Sequence, residues 1–189
     1  NMKNIFVLFF LIVSCNYSAP IAEKKNTKNP LSVFSYDKKT TSVSWTAYKL
    51  IEKVGVSGFI DSVVVLNTVS SPSPVTVFKN ASFYIYPQTI NSMNLIRDQK
   101  IVANFFGPMK NHGEIKGKIK KLNGDSSIVV LSFNGIEKDV LASVSSKGTN
   151  VVLNCDINVL DWGAESSLKK LNQACSLEHK GSGNKSVLW

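Results

Sequence analysis

Arginine is almost absent from this chain of 189 residues: Arg97 is the single one among 22 basic side chains. Nucleic-acid readers depend on the planar guanidinium fork for bidentate base and phosphate contacts. The net charge of +9 therefore reads as a lysine-rich solvated surface, one that favours anionic lipid headgroups over nucleic acid. Metal chemistry is also poorly provided for. Three cysteines and two histidines are scattered with no CxxC, HxxxH or HExxH spacing, and His112 and His179 both read as turn residues. GxxxxGK[ST], GxGxxG and GxSxG are missing, which removes the phosphate-loop, dinucleotide and hydrolase-elbow readings. No apolar run reaches the roughly 20 residues that a membrane-spanning helix needs. What remains is an ordinary globular composition, 43% apolar and 10% aromatic, with length for one full domain and little room for a second.

The strongest local signal lies at the beginning. Lys3 precedes IFVLFFLIV at positions 5–13, a run of signal-peptide length, and Ile12-Val13-Ser14-Cys15 follows the pattern aliphatic, aliphatic, small, cysteine. This resembles the lipobox of bacterial lipoproteins; an ordinary signal peptide with an incidental cysteine is the other reading. The resemblance implies removal of residues 1–14 and lipidation of Cys15, with each buried acyl CH₂ contributing about 0.8 kcal/mol to membrane anchoring. It implies export to the bacterial envelope and, because Asn16 is not Asp, an outer-membrane lipoprotein facing the periplasm. Without Lys3 the net charge is +8, 21 basic against 13 acidic residues. Residues 15–41, polar, lysine-rich and broken by Pro20 and Pro30, read as a flexible tether, with Leu31–Phe34 able to dock on a domain spanning 42–189.

Within 42–189 apolar residues recur mainly with period two. Val43, Trp45 and Ala47 share a face. Residues 54–67 are long enough for one bent strand or two, with Gly55 and Gly58 as bend points. The stretch 76–86 alternates Val77, Ala81, Phe83 and Ile85 against polar and aromatic positions. Segments 113–122, 127–134 and 138–146 are divided by Asn123-Gly124-Asp125 and Asn134-Gly135, both hairpin signals. In 151–159, Val151, Leu153, Cys155, Ile157 and Val159 oppose Asn154, Asp156 and Asn158. Residues 92–104 and 164–175 lack alternation and read as short helices. The expectation is an all-β fold: an antiparallel up-and-down, lipocalin-like barrel of about eight strands with two short helices, or a sandwich.

Several segments, taken in order, resemble the YceI-like family of lipocalin-like, polyisoprenoid-binding proteins of bacterial envelopes. They are VSWTAYK (43–49) followed by Val56-Ser57-Gly58-Phe59; RDQKIVANFF (97–106); LSFNGIEKDV (131–140); and the tail from Asp156 with Leu-Asn-x-x-Cys and His-Lys-Gly. The resemblance covers nearly all of 42–189. Family members continue past the position of Trp189 into a final strand, so either the chain is cut short there or a shorter strand 186–189 closes the barrel. The family implies an elongated apolar cavity for an isoprenoid chain such as a quinone or polyprenyl lipid, no catalytic motif and no cofactor beyond that ligand.

The inward set that would line such a cavity begins with Val43, Trp45, Ala47, Phe59 and Val77. It continues with Phe83, Ile85, Leu131 and Phe133, then Val140, Ala142, Leu153 and Ile157. Each of these serves a filled core equally well. Phe105, Phe106 and Met109 follow the first helix and either cover a cavity mouth or plug it. Arg97-Asp98 reads as an ion pair holding that helix to the barrel, and Lys116, Lys118 and Lys120 as a solvated strand face that discourages edge association. With Cys15 lipidated, Cys155 and Cys175 remain as an even pair. A disulfide across their 19 intervening residues would contribute roughly 3 kcal/mol, provided the C-terminal helix packs on the strand; two buried thiols are the alternative.

These readings point to a non-enzymatic, lipid-anchored envelope protein holding a long apolar ligand. The main rival is a filled barrel acting as a protein-interaction module on the membrane surface. An enzyme on apolar substrates and a lysine-mediated polyanion binder are further classes. No feature fixes the oligomeric state.

Overall fold

The structure, a computed structural model, describes residues 7–17, 33–49 and 54–176. Strands β1 (Val7–Tyr17), β2 (Phe34–Tyr36), β3 (Ser42–Lys49), β4 (Val54–Ile60), β5 (Val63–Leu66), β6 (Ser82–Ile85) and β7 (Ile90–Asn91) precede helix α1 (Leu95–Ile101). Strands β8 (Ile115–Asn123), β9 (Ser126–Phe133), β10 (Ile136–Lys147) and β11 (Asn150–Ile157) follow, and helix α2 (Glu165–Ala174) comes last. The strands build one strongly curled antiparallel sheet in the order β5-β6-β8-β9-β10-β11-β1-β3-β4-β7, with β2 paired to β1.

The curl amounts to a barrel wall because β4 and β5 are halves of one bent strand. β4 pairs with β3 and β5 with β6, and the chain joins them across Asp61-Ser62. Counted that way, β1, β3, β4–β5, β6, β8, β9, β10 and β11 make eight staves. The bend falls at Asp61-Ser62 and not at Gly55 or Gly58. There the freed backbone groups are taken up by Thr89: Asp61 N–H donates to its carbonyl at 3.1 Å and Ser62 N–H to its hydroxyl at 2.8 Å.

Turn chemistry sets the registers on the opposite wall. Phe133 faces Ile136 across Asn134-Gly135, both with positive φ (50° and 74°), the two-residue hairpin whose twist matches its strands. Asn123 faces Ser126 across Gly124-Asp125. From those registers the period-two pattern turns Ser127, Val129, Leu131 and Phe133 inward and buries all four. A bulge between Ile119 and Lys121 shifts β8 by one residue, and Ser127 Oγ donates to the Lys121 carbonyl at 2.8 Å there, satisfying the inward hydroxyl. Residues 75–78 differ from the sequence expectation: they form a 3₁₀ turn with Val77 and Phe78 both buried, and the strand begins only at Ser82.

Residues 7–17 form β1. The segment read as a leader and lipidation site is a stave of the wall, paired with β11 from Val7↔Ile157 to Ser14↔Asn150 and with β3 from Val7↔Ala47 to Ile12↔Ser42. Cys15 lies opposite Tyr36 of β2. Phe34, expected to dock, also bridges Ser71, with Phe34 N–H donating to the Ser71 carbonyl at 2.7 Å. His179 and the candidate strand 186–189 lie outside the described residues.

One end of the barrel is capped. α1 runs into a π-helical turn, Val102–Phe106, whose wider winding buries the adjacent Phe105 and Phe106 together. Their rings meet edge-on at 4.9 Å, and Phe106 reaches Phe133 of β9 at 6.4 Å. Gly113, at φ +72°, is required here because a Cβ would lie 2.5 Å from the Phe106 ring. α2 packs chiefly on this π turn. Asn134 then ties the cap to the hairpin through Nδ2–H to the Trp162 carbonyl at 2.8 Å.

Candidate functional site

The barrel interior is apolar and nearly full. Two small voids lie inside it. One, about 30 Å³, is bounded by Val43, Ile85, Ile115, Val129, Leu131, Val140 and Cys155; the other, about 20 Å³, by Val65, Val75, Phe78, Ala81, Ile119, Leu122, Val144 and Val151. Phe83 and Leu153 border both. The linings step along the strands: β8 gives Ile115 to the first and Ile119 to the second, β10 gives Val140 and Val144, and β11 gives Cys155 and Val151. The voids therefore lie in sequence along the barrel, with the Phe83–Leu153 pair between them. Each has room for only about one or two waters, and such an apolar lining stays dry.

Gly117 explains where the Phe83 ring sits. The two residues are cross-strand partners, and a Cβ on Gly117 would fall 1.9 Å from the ring. Glycine on β8 leaves the notch that Phe83 fills, so this aromatic is the partition of the interior.

The expected lining residues divide into three groups. Val43, Phe83, Ile85, Leu131, Val140 and Leu153 border the voids. Trp45, Ala47, Val77, Phe133, Ala142 and Ile157 belong to or pack against the buried core without bordering either void, and Phe105, Phe106 and Met109 are buried in the cap. Phe59 is a correction: it is 45% exposed and points out of the wall. On β4 the inward positions are Val56, Gly58 and Ile60. Gly58 is needed inside because a Cβ there would lie 2.5 Å from the Asn91 carbonyl oxygen of β7, and its neighbour Phe59 is turned outward. The voids add lining that alternation already marked on the same faces, notably Ile115, Ile119, Ala81, Val151 and Cys155. Val75 and Phe78 enter from a 3₁₀ turn that the strand reading missed.

Cys155 and Cys175 do not form the disulfide that their number allows. The condition was that the C-terminal helix pack on the strand, and α2 instead packs on the π turn. Burial in the first void pushes the Cys155 thiol up to about 12 from an ordinary 9.0, with the neighbouring Asp156 charge adding to the shift. It is a protonated, unreactive apolar group. Arg97 and Asp98 both engage Ser92 at the foot of α1. Lys116 and Lys120 point outward as expected and pair with Glu114 at 3.2 Å and Asp139 at 2.8 Å, exposed contacts of small worth. Among the described residues no group of three or more His, Cys, Asp or Glu side chains is placed to hold a metal.

No protein-family model matches the chain, and no curated protein matches it significantly in sequence.

Proposed function

We propose that this protein is a lipid-anchored carrier of the bacterial envelope whose barrel takes up one long, apolar, polyisoprenoid-like chain. The observation that carries the reading is the pair of dry voids in line along the barrel, with apolar linings and a single partition. An isoprenoid tail asks only for such a lining, and among the described residues no cluster of polar side chains borders either void. The motif order that resembles the YceI-like family supports the same ligand class, and the lipobox-like Ile12-Val13-Ser14-Cys15 supports an envelope setting; processing at Cys15 takes residues 7–14 of β1 out of the wall and leaves β3 and β11 to meet without them.

Volume sets the condition. Sites for ligands of drug size occupy about 300–1,000 Å³, far above about 30 and 20 Å³, so this reading requires Phe83 and Leu153 to turn aside and admit the chain. Full chain titrated with a long-chain isoprenoid quinone should lose tryptophan emission, because Trp45 is buried on the inner face of β3. Phe83→Ala joins the voids and removes the cost of moving the ring, so it should tighten binding by about tenfold. Absence of quenching in both chains contradicts the carrier reading. That outcome would leave the second reading, to which the small size of the voids lends support: a filled barrel serving as an interaction module at the membrane surface.

A further inference from the structure

The segment joining β7 to α1 presents apolar side chains to solvent. Met93, Leu95 and Ile96 are 82%, 73% and 69% exposed. Further along the same helix, Ile101 and Val102 pack against the core, so the helix has its buried contacts and its first turn is left uncovered. Phe59, the other large exposed apolar residue here, lies across from Asn91 in the β4–β7 pairing, two positions before Met93.

The support beneath this segment is well tied. Met93 holds the left-handed conformation at φ 60°, uncommon for a long side chain, and its N–H donates to Asn91 Oδ1 at 3.1 Å. Arg97 donates from Nε to the Ser92 hydroxyl at 2.7 Å and from Nη2 to the Ser92 carbonyl at 2.5 Å. Ser92 N–H donates to both Asp98 carboxylate oxygens, at 3.0 and 3.2 Å, and its hydroxyl donates to Oδ1. Asn94 caps the helix by accepting from Arg97 N–H at 3.0 Å. Both charges of Arg97-Asp98 are thus spent on holding the turn, and what projects from it is Met, Leu and Ile.

We propose that Met93, Leu95 and Ile96, with Phe59 beside them, form a tip that inserts into a lipid bilayer surface. Two observations select lipid over protein. These four side chains offer on the order of 400 Å² of apolar area, well under the ~800 Å² per partner of a stable protein interface. The chain carries a net charge of +9, complementary to anionic headgroups, and Lys100 follows Ile96 by one helical turn. The exposed carboxylate nearby, Asp61, lies 3.5 Å from the Asn91 amide. This inference does not depend on what the barrel holds.

The test uses the full chain with Cys15→Ser, so that no acyl chain contributes, and vesicles of phosphatidylethanolamine and phosphatidylglycerol. The chain should co-sediment with them. Joint substitution of Met93→Ser, Leu95→Ser and Ile96→Ser should weaken partitioning by about tenfold or more, with circular dichroism unchanged. Leu141→Ser, at a 73% exposed position on the wall, should leave partitioning intact. Met93→Trp should add emission that shifts to the blue on vesicle addition. Equal partitioning of parent and triple variant, or an unshifted tryptophan, overturns the proposal. So does self-association of the parent that the triple variant abolishes without vesicle binding, which would assign the tip to a second copy of the chain.

Discussion

At the scale of single residues, the interior is governed by a few side chains whose size or protonation the fold fixes. Phe83 depends on Gly117 for its place, and Cys155 on burial for its neutrality. The cysteine has a measurable consequence. Its folded pKa lies near 12 against an ordinary 9.0, so the folded state keeps a proton that the unfolded state releases as pH rises past 9. Stability from this group is therefore whole below pH 9 and falls as pH climbs from 9 towards 12, by up to about 1.4 kcal/mol per pH unit. Cys155→Val removes the term. The unfolding free energy of the parent minus that of the variant should fall between pH 8 and 10.5, measured by denaturant titration. A difference constant over that interval would mean that the thiol is not desolvated.

At the scale of elements, the strands that carry strict alternation and a hairpin signal were readable in advance: β8, β9, β10 and β11 stand where the Asn-Gly turns and the Ile115/Ile119 and Val151/Leu153/Ile157 faces put them. Phe59 and residues 75–78 were not readable, for a shared reason. β4 reads VGVSGFI, apolar on both faces, and its inward face is settled by β7, a two-residue strand about thirty positions away that needs glycine beneath it. The 3₁₀ turn at Val75–Phe78 likewise buries two consecutive residues against distant strands, which no local period encodes. The voids follow the same logic. Which residues face inward is a property of each strand, whereas the gap between Phe83 and its neighbours depends on how all of them meet. β1 gives the element-scale prediction. In a chain beginning at Cys15, the pairings of residues 7–14 with β3 and β11 are lost. Amide hydrogens of residues 42–47 and 150–157 should then exchange faster than in the full chain. Equal protection in the two chains would show that β1 contributes nothing to holding those strands.

For the whole molecule, the barrel with its capped end and the apolar tip underlie the two proposals, an apolar chain held inside and a bilayer surface met outside. The cap made by Phe105, Phe106, Met109 and Trp162 closes one end with buried side chains, so a chain-like ligand would have to enter elsewhere, past the Phe83 partition. The most direct measurement is organic extraction of the purified full chain, followed by mass spectrometry of the extract. The account predicts an isoprenoid or quinone in near-stoichiometric amount, its chain length then fixing how far the two voids open. An extract that stays empty after the protein has been offered envelope lipids would contradict it and leave the filled barrel as the working description.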